Sequence, residues 1–173
     1  MKKLTKKSLD ELARTMNVIP DVENYRGGDY FYNSLGQLIS TSGDGDVIWI
    51  KKNDGNLELF SDSNNRTAQT AIIRHITGHQ GIIVDNLMLG IEVEKPGQYA
   101  MGRKGSTLLY NPCHGFNDHY FQVKNMYVHE TVHFAGNSSE RDAWAAAMAD
   151  SSWAKTTPLY QGAVGGYIAN AKN

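Results

Sequence analysis

The fold of this chain turns on the stretch from Val123 to Asp142, at whose centre stand His129-Glu130-Thr131-Val132-His133. No proline or glycine interrupts Val123 to Ala135, and Val128, Thr131, Val132 and Ala135 are apolar or compact. The spacing therefore predicts a buried helix over those residues. Gly136-Asn137 breaks it. Ser139, with Asp142 three positions later, starts a second helix running from Glu140 to about Asp150.

Side chains four apart on a helix project from one face, a turn above each other. His129 and His133 can thus offer two imidazole nitrogens to one tetrahedral Zn2+. Glu130, one residue round, reaches the water on such a metal without ligating. Zinc lowers the pKa of that water toward neutrality, and Glu130 can take its proton and pass it to a leaving amine. The pattern predicts a zinc-dependent peptidase. A catalytic zinc keeps three protein ligands and one open position. Glu140, seven residues past His133 and at the first turn of the next helix, is the first choice for the third ligand. His114, His119 and Asp142 are the alternatives, Asp142 being also the capping partner of Ser139. His114, His119, Tyr110 or Tyr127 could instead donate a hydrogen bond to the tetrahedral intermediate.

Upstream, Ser106 to Tyr110 reads as a strand stopped by Pro112, and Ile82-Ile83-Val84 and Leu87 to Ile91 read as further strands. Arg66 to His79 has helical spacing and ends near Gly78. His75 and His79 are also four apart, but no acidic residue accompanies them, so they are read as structural. Tyr30 to Ser61 reads as a short β-meander whose turns are Asn33-Ser34-Leu35-Gly36 and Asn53-Asp54-Gly55-Asn56. Gly43-Asp44-Gly45-Asp46 resembles half of a calcium loop but lacks the distal glutamate, and is taken as a turn. Ser8 and Glu11 form a capping box for a helix from about Leu9 to Asn17. The expected division is a helix and β-meander module over 1–62 and a metal-binding domain over 63–173.

The whole chain has 173 residues, 40% of them hydrophobic, with a formal net charge of −1. A length of that order can bury a core without staples. The scattered lysines and arginines give no nucleic-acid footprint. No apolar run follows the basic start Met1 to Lys7, so neither a cleavable signal nor stable membrane insertion is expected. The expectation is a soluble protein, exported by a dedicated secretion system or else cytoplasmic. The one cysteine, Cys113, excludes an internal disulfide. A cysteine protease built on Cys113 with His119 or His129 lacks an orienting motif.

Gly105-Ser106-Thr107-Leu108-Leu109-Tyr110-Asn111-Pro112, the HExxH segment and Glu140-Arg141-Asp142-Ala143 together resemble the compact HExxH metallopeptidase domains of bacterial effectors and polymorphic toxins. The likeness covers roughly the last 70 residues. Tyr30 to Ile39 also resembles a short β-module found just before toxin domains in large bacterial proteins. The resemblance implies an α+β, minimal zincin-like fold: a small antiparallel sheet, the HExxH helix and a following ligand-bearing helix. It implies zinc held by His129, His133 and Glu140, with Glu130 as base. The strand Ser106 to Tyr110 would be the sheet edge on which a peptide substrate lies, contacted through Leu108 and Tyr110. A secreted toxin of this kind would carry an immunity protein as partner. Phe134 stands where the family often has alanine, and the gap to Glu140 is short. Two other readings are a zinc hydrolase of cell-wall peptides and a non-catalytic, zinc-stabilised binding module. A fourth protein ligand on the metal would mark the latter.

Overall fold

The computed structural model describes residues 29–42, 46–84, 102–104, 107–112, 114–134, 136 and 139–170. The expected helix over Leu9 to Asn17, the strand over Leu87 to Ile91, most of the Gly43 to Asp46 turn and Cys113 lie outside them. The fold is α+β. Its strands are β1 (Tyr30–Asn33), β2 (Leu38–Thr41), β3 (Ile48–Lys51), β4 (Leu57–Leu59), β5 (Ile82–Val84), β6 (Gly102–Lys104) and β7 (Thr107–Tyr110). Its helices are α1 (Arg66–Thr77), α2 (Tyr120–Phe134), α3 (Glu140–Ala149) and α4 (Pro158–Asn170), with 3-10 turns at Gly115–Asp118 and Trp153–Lys155.

The strand meander of the first segment consists of two hairpins, each turning where the sequence expects, in the sheet order β2-β1-β3-β4. The hairpins meet through β1 and β3, which run parallel from Tyr30 opposite Ile48 to Asn33 opposite Lys51. At the start of β1, Ser42 N–H donates to Asp29 O, and Tyr30 N–H donates to Val47 O. A strand that begins at that end beside β1 can only run parallel to it.

The second sheet has the order β5-β7-β6 and is mixed where an antiparallel one was expected. β5 pairs with β7 in parallel, Ile82 opposite Leu108, while β6 is antiparallel to β7. β7 is therefore the central strand and not an edge. Leu108 and Tyr110 are fully buried on it, so the expected placing of a peptide along this strand, against those two side chains, is corrected. Apolar residues on both faces of a strand are what a strand covered on both sides requires.

One buried cluster runs across the boundary expected at residues 62 and 63. Tyr32 and Ile50 of the first sheet, and Phe60 just after β4, pack with Ile72 of α1, Leu108 of β7 and Val123 of α2. Polar ties reinforce the join. Ser61 donates to the Asp118 carboxylate through its N–H (2.7 Å) and its hydroxyl (2.8 Å). Gly36, at φ +75°, lets the first hairpin turn press against α1, where an added Cβ would lie 2.5 Å from the Ala68 carbonyl oxygen.

Candidate metal centre

The start of α2, the helix that carries His129 and His133, takes a capping side chain from a distant part of the sequence. Asp46, seventy-five positions before Phe121, supplies it: its Oδ1 accepts from Phe121 N–H at 3.1 Å. Its carbonyl oxygen accepts from Tyr120 N–H. Asp46 Oδ2 also pairs with His119 Nδ1 at 2.9 Å, so a residue read only as part of a turn anchors the start of the helix. α3 begins as expected, with Ser139 Oγ accepting from Asp142 N–H at 3.2 Å.

Along α2, His129 and His133 fall on the face turned to α3, and their Nε2 atoms stand 3.3 Å apart. His129 is 3% exposed and Glu130 7%. His129, Glu130 and His133 bring their donor atoms within 4.8 Å of one another, the one such group of metal-binding side chains among the described residues. This group could hold a metal ion. The Glu140 carboxylate closes on the two imidazoles as well. One oxygen is 3.3 Å from His129 Nε2 and the other 3.4 Å from His133 Nε2. The nearest Glu130 oxygen is 3.9 Å from His129 Nε2. Two ligands each about 2.0–2.1 Å from a tetrahedral zinc stand about 3.3–3.4 Å apart; the two imidazoles hold that spacing, and Glu140 meets each ring at it with a different oxygen. The same contacts are longer than good N–H···O hydrogen bonds, which centre near 2.9–3.0 Å.

Burial, and then the neighbouring His133, lower the pKa of His129 to about 3. Burial thus favours the neutral ring, the form that ligates a metal. Glu140 has an exposed side chain, so solvent reaches the group from the α3 side.

The other expected residues lie elsewhere. His114 accepts from Phe116 N–H through Nδ1 and packs on the Phe116 ring. His119 is held by Asp46. Asp142 is at the helix cap. Tyr110 donates to Val123 O, and burial followed by the charge of Glu130 holds its hydroxyl well above the usual tyrosine range. Tyr127 lies beside His79, ring centroids 5.8 Å apart. Sequence reasoning missed Trp144, whose indole centroid is 3.9 Å from that of His129. Its position four after Glu140, on the same helix face, was the available signal.

No known family model, curated protein or solved structure matches this chain. No helix among the described residues is long and apolar enough to cross a membrane.

Proposed function

We propose that this chain is a zinc-dependent peptidase in which His129, His133 and Glu140 hold the metal and Glu130 is the general base. The observation that carries this reading is that two imidazoles and the Glu140 carboxylate, from two helices, approach one another at 3.3–3.4 Å beside a second, buried carboxylate. Two imidazoles and a carboxylate are a donor set that zinc favours, and three protein ligands leave one position open. The engagement of His114 by Phe116 and of His119 by Asp46 weighs against a four-ligand structural site.

Zinc, when bound, supplies a Lewis acid that makes water nucleophilic near neutral pH and polarises a carbonyl. Glu130 accepts a proton from the attacking water as its oxygen bonds to the scissile carbonyl carbon. It returns that proton to the departing nitrogen as the C–N bond breaks, giving a carboxylate and an amine. Glu130 is buried, which limits access of bulk water to its carboxylate. The role of a delivered toxin with an immunity partner belongs to the same proposal and rests on the sequence resemblance.

The test measures zinc content by mass spectrometry, and cleavage of a mixed peptide library, for the wild type and Glu130→Gln. Near-stoichiometric zinc in both, with cleavage lower by about 10²–10⁴-fold in the variant, is the expected result. Absence of zinc from both proteins would overturn the reading.

A further inference from the structure

An imidazole that ligates a metal has to be held in one orientation. The usual device is a hydrogen bond from its second nitrogen to a carbonyl or carboxylate. His129 departs from that arrangement: its Nδ1 is buried and has no hydrogen-bond partner among the described residues. What lies against the ring is the Trp144 indole, inclined at 42° to it and 6% exposed. Behind the indole stands Tyr167 of α4, nearly parallel at 14° with centroids 6.2 Å apart.

The position of Trp144 is part of a regular arrangement. α2 and α3 face each other through three successive rungs. Asn125 Nδ2 donates to Ala147 O at 2.7 Å, Trp144 packs on His129, and Glu140 meets His133. The α2 members are spaced by four, and the α3 members run back by three and four, as neighbouring turns require. Asn125 is fully buried and its amide also donates to Ser152 Oγ, so the first rung cannot slip without leaving polar groups unpaired. The middle rung inherits that fixed register.

We propose that Trp144 is a positioning residue for His129, its ring face doing for the imidazole what a hydrogen bond to the second nitrogen does in other zinc sites. The inference rests on the zinc reading above. It concerns metal affinity, which can be measured without any substrate. An indole that merely fills space would be replaceable by another large apolar side chain. One that orients the imidazole would be replaceable only by another aromatic ring.

The test is competition for Zn2+ against a chromophoric chelator, using the wild type, Trp144→Phe and Trp144→Leu, with the metal-free melting temperature of each. Trp144→Leu should bind zinc about 10–100-fold more weakly, the usual cost of losing an outer partner of a ligand, while Trp144→Phe stays within about threefold of wild type. Equal losses in both, or no loss in Trp144→Leu, would overturn the proposal. Should Trp144→Leu fail to fold, Tyr167→Ala serves in its place, since it removes only the half-exposed outer ring. A loss of about twofold to fivefold is then expected at unchanged metal-free stability, and unchanged affinity would overturn the proposal. The two readings fail separately. A wild type that binds no zinc removes the site itself. Zinc in the wild type, an inactive Glu130→Gln and full affinity in Trp144→Leu would remove only the role of the indole.

Discussion

Two segments among the described residues carry histidines four positions apart, and only one pair comes together. On α2, the His129 and His133 nitrogens stand 3.3 Å apart with Glu140 across from both. On α1 the helix ends at Thr77, and Gly78 turns into the left-handed region at φ 71°. His79 is therefore off the helix, its ring between Tyr127 and Phe134. His75 is committed to Tyr32, whose hydroxyl lies 3.0 Å from its Nδ1. Spacing alone does not make a metal site. The helix must continue through both positions, and a second element must bring a third donor to the same face.

The comparison breaks most sharply on ligand removal. His133→Ala should weaken zinc binding by more than about 100-fold, since even partners outside the ligand set are worth about 10–100-fold. His75→Ala should leave zinc affinity unchanged. Isothermal titration of both variants decides it, and a comparable loss in His75→Ala would end the distinction between the pairs.

A finer contrast separates the two carboxylates near the imidazoles. Glu140→Gln keeps the side-chain shape and one oxygen but removes the charge that faces both rings. Its zinc affinity should fall by about 10–100-fold. Glu130→Gln should keep its zinc, because the Glu130 carboxylate stands further from His129 than that of Glu140. The opposite pattern in a chelator competition would exchange their roles, making Glu130 the ligand and leaving the base to be found elsewhere.

What the sequence made legible was local. The α2 and α3 segments, the break at Gly136, the Ser139 cap and both hairpin turns follow from residue preferences within a few positions. The convergence of His129 and His133 was legible for the same reason, being a property of one helix. The pairing of β1 with β3, the central place of β7 and the capping of α2 by Asp46 were not. Each depends on contacts between distant residues, and an apolar strand reads the same at the edge of a sheet as at its centre. Trp144 escaped notice because a tryptophan on a helix face ordinarily signals core. Only the unpartnered nitrogen of His129 gives it another meaning.

The smallest effect sharpens the comparison through the backbone. Gly78 after α1 and Gly136 after α2 share one conformation, at φ +71° and +88°, and at neither would an added Cβ meet an atom within 4 Å. Each amide closes the end of its helix, Gly78 onto Arg74 O four residues back and Gly136 onto His133 O three residues back. Alanine at either position should therefore cost about 1–2 kcal/mol of stability through φ alone. The consequences then diverge. Gly136 lies in the link that carries the chain from His133 to Glu140, so a relaxed turn there moves α3 relative to the imidazoles. Zinc binding must restore the strained turn, and the same energy returns as a loss of affinity of up to about 5–30-fold. Gly78→Ala should show a comparable loss of stability with unchanged zinc affinity, because the turn after α1 does not connect two of the proposed ligands. Thermal melts and chelator competition on both variants test this, and equal zinc affinity in the two would mean that the turn after α2 does not set the position of Glu140.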